Sequence, residues 1–250
     1  MNIGRNTVTI GSAALRDHIA ITHAAGQHHS GQVDQGADPL GGGLGDLAFR
    51  DEVRLAGVNS INWARVLAQV VYYFSSAVSL GAPHRAVSFT VPTGNFGDIF
   101  AGYIAKKMGL PIDQLVVATN QNDILHRALS AGDHHTNGVK PSISPSMDIQ
   151  VSSNFERALF DAYGRDGAAV AQLMAELKAG GFAISQGALQ MLRGTFASGR
   201  CSEDETIATI RTAFATTGEV LCPHSAVGVK VAVLTNRLET VDQLLNVPPE

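Results

Sequence analysis

Apolar and polar positions alternate most clearly in the middle of this chain. An apolar run over 86–91 predicts a short buried strand, and a helical pattern follows over 97–108 until Gly109 ends it. A second apolar run over 114–119 predicts another buried strand. Two such strands joined through a helix predict a parallel βαβ unit with a right-handed crossover.

The turn between the first strand and its helix passes through Thr93 and Gly94 and enters the helix at Gly97. A helix N-terminus reached in this way presents free backbone N–H groups, which together with the helix dipole can hold a phosphate. Such turns are common in α/β proteins and most of them bind nothing, so the spacing alone does not establish a site. The loop 120–123 follows the second strand, so it is expected at the same edge of the sheet. Its Asn and Asp residues can equally serve only to turn and cap the chain.

Further helices are predicted on both sides of this unit. Ser60 is predicted as the N-cap of a largely buried helix, which has apolar residues at Ile61, Val66, Leu67, Val70, Val71, Phe74 and Val78. Later helices are predicted behind the Ser153/Glu156 capping box, Asp166, Ser185, the Ser202/Glu205 capping box and Pro223. In the helix behind Ser202, the predicted core positions are Ile207, Ile210 and Phe214. The segment 133–146 is predicted to be an exposed polar loop.

Composition limits the class of protein. The 250 residues are 45% hydrophobic and 16% charged, which is enough for one real core and too little for two large domains. The net charge of −4 does not favour nucleic acid or an anionic membrane as a partner. No apolar stretch is long enough to cross a bilayer, and the first residues do not resemble a secretory signal. Two cysteines are too few for a disulfide framework, so a cytoplasmic location is expected.

The first 44 residues differ from the rest. They are rich in Gly, His, Gln and Asp and poor in large apolar side chains, which predicts a flexible, unassigned segment before a single α/β domain over 45–250. The histidines in this segment suggest a metal site, but neither cysteines nor paired carboxylates accompany them, so no metal site is predicted. They are His18, His23, His28 and His29.

The segment 88–102, which contains Gly-Asn-Phe-Gly-Asp, resembles the phosphate loop of the threonine synthase family. Further stretches resemble that family in the same order, at 47–51, 58–66, 117–125, 142–149, 153–157 and 222–228. The resemblance covers about residues 45–235 and corresponds to the central and C-terminal part of the family. It implies a partial α/β domain of the pyridoxal 5′-phosphate (PLP)-dependent fold type II, like tryptophan synthase β. A parallel sheet is then flanked by helices, and the domain is truncated at both ends.

The resemblance also implies a cofactor and a reaction. Threonine synthases are lyases of threonine biosynthesis that use PLP to convert O-phospho-L-homoserine and water into L-threonine and phosphate. By resemblance, the phosphate of PLP is bound by Gly94, Asn95, Phe96, Gly97 and Asp98. The substrate-side residues implied in the same way are Ser60, Asn62 and Arg65.

PLP chemistry needs a lysine that binds the cofactor covalently. None of the lysines of this chain stands in anything like the Phe-Lys-Asp motif of the family; they are Lys106, Lys107, Lys140, Lys178 and Lys230. No catalytic residue is therefore predicted, and the chain alone is expected to be inactive, with a missing N-terminal half as a partner. The alternative is a non-catalytic remnant or anion-binding module of the same fold. Another PLP enzyme, such as a threonine dehydratase or cysteine synthase, is disfavoured because 59–65 and 153–157 match threonine synthases.

Overall fold

The computed structural model describes residues 7–9 and 61–235, and within them a parallel sheet is flanked by helices. Numbered in chain order, the strands are β1 (Thr7–Thr9), β2 (Val87–Pro92), β3 (Ile112–Thr119), β4 (Asp133–His135), β5 (Gly181–Ala183) and β6 (Phe196–Arg200). The main sheet has the order β1-β2-β3-β6 and all its pairs are parallel. Strands β4 and β5 form a separate antiparallel pair. Strand β1 lies in a segment where the sequence analysis predicted no element.

The helices lie between these strands and after the last of them. They are α1 (Trp63–Ser79), α2 (Gly97–Lys107), α3 (Ile124–Ala131), α4 (Phe155–Ala162), α5 (Gly167–Lys178), α6 (Gln186–Arg193), α7 (Glu203–Thr217) and α8 (Pro223–Thr235), with one 3₁₀ turn at Pro145–Met147. The predicted βαβ unit is confirmed as β2-α2-β3, although β3 begins two residues earlier than predicted.

Both faces of the main sheet are buried, which explains why its central strands are almost continuously apolar. Successive side chains of a strand point to opposite faces. One face, with Phe89 and Leu115, belongs to the large core that α1 and α2 also line. The other face, with Val116, packs against Val227 and Val231 of α8. A Cβ at Gly199 of β6 would lie 2.7 Å from Val231, so glycine allows α8 to approach the sheet closely.

Helix α1 differs from its prediction in two respects. Its N-cap is Asn62, whose side chain accepts a hydrogen bond from the N–H of Ala64, so the prediction of Ser60 as the cap was wrong. Helix α1 is also buried on one side only, and the apolar residues that remain exposed include Ile61, Trp63, Leu67, Val71 and Val78. The buried side packs on α2 through side chains that include Tyr73.

The later helices mostly begin where predicted. Asp166 caps α5, Ser185 caps α6, and Ser202 with Glu205 forms the predicted capping box at α7. The predicted box at Ser153 and Glu156 is wrong, because the N-cap of α4 is Asn154 and no side chain caps that helix.

Two predictions of which side chains are buried were also wrong. Helix α7 buries its small side chains, Thr206, Thr209 and Ala213, and leaves Phe214 exposed, because small residues let α8 pack closely against it. In the segment predicted as an exposed loop, His134 is buried in β4 because β5 pairs with this strand.

Candidate functional site

The candidate site lies where the parallel strands end. The turn 93–96 follows β2, Asn120 follows β3, and Cys201 follows β6, so the three connections meet at one edge of the sheet. Cys201 N–H donates to the Thr119 carbonyl, and Thr93 N–H donates to the Ala118 carbonyl, which ties these connections to β3. Ligands of parallel α/β sheets bind at this edge.

The turn 93–96 carries unpaired N–H groups into the first turn of α2. Phe96 is the N-cap, with φ of 62°, in the left-handed region, and no side chain caps the helix. Among the described residues, no acceptor binds the backbone N–H of Asn95, Phe96 or Gly97. The Phe96 ring is buried against Phe155, whereas Asn95 is exposed. Consecutive free N–H groups near a left-handed residue form an anion-binding concavity.

The carbonyl groups of the same turn are bound on one side. Ser152 Oγ donates to the Gly94 carbonyl at 2.9 Å, and Asn154 donates to the Asn95 carbonyl through its backbone N–H at 3.1 Å and through Nδ2 at 3.0 Å. In a trans peptide the C=O and N–H point in opposite directions. The N–H groups of Asn95 and Phe96 therefore point away from the segment 152–154.

Gly94 packs against the 3₁₀ turn at Pro145–Met147. A Cβ at Gly94 would lie 2.5 Å from the Ser146 carbonyl oxygen, which is closer than any real side chain allows. The Ser146 hydroxyl in turn lies 2.6 Å from Nε2 of His224, at the start of α8. Glycine is thus required at 94 for contact with this turn, and His224 is connected to the site through Ser146.

Asp98 lies at the start of α2, with its side chain directed toward α1. The Tyr73 hydroxyl lies 3.0 Å from the Asp98 carbonyl and 3.2 Å from Asp98 Oδ1. Burial raises the pKa of Asp98 to about 6, although the hydrogen bond from Tyr73 acts in the opposite direction. The charge of this carboxyl beside the helix N-terminus therefore changes with pH close to neutrality.

A buried polar network holds the loop that contains Ser146. Asn120 Nδ2 and Asn122 Nδ2 each donate to Asp148 Oδ1 at 2.8 Å, and Ser142 donates to the same carboxylate through Oγ at 2.6 Å and through its N–H at 2.8 Å. Asn120 also donates to Ser144. The segment 120–123, which was expected at this edge, thus fixes the position of 142–148 relative to β3.

The three predicted substrate-side residues differ in what the structure shows of them. Ser60 lies outside the described residues. Asn62 is exposed and its side-chain oxygen caps α1, and Arg65 is half-buried one turn further along. Arg157 connects this end of α1 to the turn 93–96, because it donates to the Ile61 carbonyl at 2.8 Å and to Oδ1 of Asn154 at 3.1 Å.

Sequence reasoning missed Ser152, Asn154, Tyr73 and Ser146 as supports of the turn. Asn154 and Ser146 stood in stretches that resembled the threonine synthase family, but nothing in their local pattern indicated a contact with Gly94 or Asn95. No group of three or more potential metal ligands occurs among residues 61–235. Within the part of the chain that the structure describes, no helix is long and apolar enough to span a membrane. The four histidines considered for a metal site lie outside the described residues.

Comparison with known proteins finds similar sequences and similar solved structures. The threonine synthase of Pseudomonas aeruginosa is 51% identical over 203 residues, which cover 81% of this chain and 43% of that protein. A PLP-bound threonine synthase from Brucella melitensis has a solved structure with 60% identity and a TM-score of 0.76, covering 80% of this chain and 43% of that one. The yeast enzyme gives 42% identity and a TM-score of 0.70, covering 78% and 41%. No protein-family model matches the chain.

The fold is thus that of an α/β domain of PLP-dependent enzymes, and the chain forms part of such a domain. Helices cover both faces of its parallel sheet. Within that class, the chain belongs to the threonine synthase family. It spans about two fifths of the length of the relatives it matches.

Proposed function

We propose that this chain is the part of a threonine synthase that binds the phosphate of PLP at Gly94–Asp98. The whole enzyme would convert O-phospho-L-homoserine and water into L-threonine and phosphate in the cytoplasm. The observation that carries the proposal is the run of unpaired N–H groups at Asn95, Phe96 and Gly97, directed away from the bound carbonyls of the same turn.

The residues present fit a phosphate monoester. Three consecutive N–H groups and the positive end of the α2 dipole match an anion with several acceptor oxygens. Ser152 and Asn154 hold the carbonyl oxygens of Gly94 and Asn95 on the other side, where they do not repel the anion. When bound, PLP supplies an electron-withdrawing ring that stabilises negative charge on substrate carbons.

Within this site, Asp98 contributes through the charge of its side chain. Its carboxyl is engaged with Tyr73, and because its pKa is raised to about 6, a proton on Asp98 is retained more readily than on an exposed carboxyl. Protonation of Asp98 removes a negative charge next to the phosphate.

On the substrate side, Ser60, Asn62 and Arg65 remain proposals. The Arg65 guanidinium is permanently charged and suited to bidentate binding of a carboxylate or phosphate. O-phospho-L-homoserine carries both groups. Arg157 supports this assignment because it ties the start of α1 to the turn that contains Asn95.

We further propose that the chain is inactive without the portion of the enzyme that it does not match. The family binds PLP covalently through a lysine in a Phe-Lys-Asp motif, and none of the lysines here stands in such a motif. After PLP and borohydride treatment, mass spectrometry of the purified chain should find no lysine that carries reduced cofactor stoichiometrically, and only a low, scattered labelling of exposed amines. A lysine modified stoichiometrically at one position would contradict this.

The anion site itself is tested by the thermal unfolding of the chain in inorganic phosphate. Phosphate at 100 times its dissociation constant should stabilise the wild-type chain by about 2.7 kcal/mol relative to chloride of equal ionic strength. Gly94→Ala should abolish this increment, because its Cβ would collide with the Ser146 carbonyl. The matched control is Gly187→Ala, where no atom lies within 4 Å of the added Cβ.

Two results would contradict the proposed site. One is the absence of any phosphate-specific stabilisation of the wild-type chain. The other is an equal phosphate increment in Gly94→Ala and in the wild type. A chain that binds phosphate with the same Gly94 dependence, yet yields no threonine when combined with the rest of a threonine synthase, would instead be an anion-binding remnant of the fold.

A further inference from the structure

Helix α1 exposes an apolar face that no described residue covers. Leu67 is 54% exposed, and Val71 and Val78 are each 62% exposed. The other exposed residues from 64 to 79 carry no charge and are mostly small: Ala64, Ala68, Tyr72, Ser75 and Ser79. Arg65 is the one charged residue in the sequence of α1. A helix face that stays in water normally carries charged side chains.

The neighbouring face of α1 is already buried. Val66, Val70, Tyr73 and Ala77 all belong to the large core, and α2 packs so closely that a Cβ at Gly102 would lie 2.5 Å from the Tyr73 ring. Helix α1 is therefore apolar over two neighbouring faces, one buried and one exposed, while Arg65 and Gln69 lie on its polar side. An apolar stripe that is wider than the buried face is typical of a helix with a further packing partner. The structure supplies the partner for one side only.

The length of the relatives indicates what covers the other side. The chain spans about two fifths of the threonine synthases it matches, so a larger share of each relative has no counterpart here. The exposed apolar residues continue past the start of the helix to Trp63 and Ile61, next to the Arg157 contact that connects α1 to the candidate site. A partner on this face would therefore also border the side of the site proposed for the substrate.

We propose that the face formed by Leu67, Val71 and Val78 is the docking surface for the N-terminal portion of a threonine synthase, which precedes the part that this chain resembles. The proposal rests on the proposed function only for the identity of the partner. The small residues Ala64, Ala68 and Ser75 allow another backbone to approach α1 closely, as Gly102 does on its other side. The contact is apolar, so it should persist at high salt.

The test uses the N-terminal portion of the Pseudomonas aeruginosa threonine synthase, up to its first matched residue, as a tagged polypeptide. Coexpressed with this chain, it should be recovered as a complex with one copy of each, measured by size-exclusion chromatography with light scattering. Leu67→Glu and Val71→Glu should each lower the recovered complex at least tenfold. The control is Phe214→Glu on α7, which places the same charge at a side chain of similar exposure, 57%, and should leave recovery unchanged.

Several outcomes would overturn the proposal. Equal recovery with Val71→Glu would show that the partner binds elsewhere, and no complex between two chains shown folded by circular dichroism would show that it does not bind. A dimer of this chain alone that Val71→Glu dissociates would assign the face to a second copy. A fall of more than about 5 °C in the thermal midpoint of the isolated Val71→Glu chain would show that another segment of this chain covers the face. The readout is recovery of the complex in buffers without PLP or phosphate, so a failure here is distinguishable from a failure of the phosphate test at Gly94.

Discussion

We predict that His134 makes the stability of the fold depend on pH. His134 is 2% exposed and its ring lies between those of Phe155 and Phe182, with centroids 5.4 and 4.7 Å away and planes 13° apart. Neither ring nitrogen has a hydrogen-bond partner in the described part of the chain. Burial therefore lowers the pKa of His134 from 6.5 to about 4. Asp133 opposes this shift, while Arg127 and His135 add to it.

The sign of the effect follows from the two states. The unfolded chain binds a proton at His134 near pH 6.5, whereas the folded chain does so only near pH 4, so the stability contributed by neutral His134 is complete above 6.5 and falls as the pH is lowered toward 4. The difference between these two pKa values corresponds to about 3 kcal/mol in the free energy of unfolding, and about 2 kcal/mol of it is lost by pH 5.

The perturbation is His134→Phe, which keeps an aromatic ring between Phe155 and Phe182 and removes the titrating group. Urea unfolding at pH 7.5, 6.0 and 5.0 should show that the wild type loses about 2 kcal/mol more than the variant between the first and last values. Comparing slopes removes any constant effect of the substitution on packing. The exposed His84, changed to Gln, is the control and should keep the wild-type slope. Equal losses in the wild type and in His134→Phe would refute the reasoning.

Three further predictions concern the candidate site and its support. Sulfate, which stays fully ionised, should bind about fivefold more tightly at pH 5 than at pH 7.5, because Asp98 becomes neutral below about pH 6. Calorimetry should find no such pH dependence in Asp98→Asn, and a pH dependence that persists in this variant would contradict the role of Asp98. Asp148→Ala should cost about 1.5–3 kcal/mol in urea unfolding, because Asn120 and Ser142 lose a half-buried charged acceptor; a loss below about 1 kcal/mol would show that the network does not hold the loop. Iodoacetamide at pH 7 should label Cys222 and spare Cys201, and equal labelling would contradict this. Burial opposes ionisation of Cys222, but hydrogen bonds from His224 and Ser225 outweigh it and lower the pKa of Cys222 to about 7, whereas burial raises the pKa of Cys201 to about 11.

The family was predicted from its sequence motifs, whereas the helices and strands were predicted from local physical patterns. The motifs from 88–102 onward led to the threonine synthase family, and the comparisons confirmed it. The residues assigned to PLP and to the substrate by that resemblance stay predictions. Their tests are the phosphate and sulfate measurements for Gly94 and Asp98.

Much of the central architecture is determined by the sequence alone, because its signals are contiguous. The apolar runs of β2 and β3, the glycine turn before α2, and the caps Asp166 and Ser202 each depend on residues within a few positions of one another. Local hydrogen bonds and backbone preferences favour these elements wherever they lie in the fold.

The tertiary structure alone decided which surfaces are buried and which groups support the turn. Ser152 and Asn154 bind the carbonyls of Gly94 and Asn95 across 58 and 59 residues of sequence, so no local pattern could indicate the contact. The same holds for Val71, which is as apolar as the buried Val70 beside it. Burial depends on which element packs against a residue, and that partner is set by the path of the whole chain. For α1, only the side that faces α2 meets such a partner.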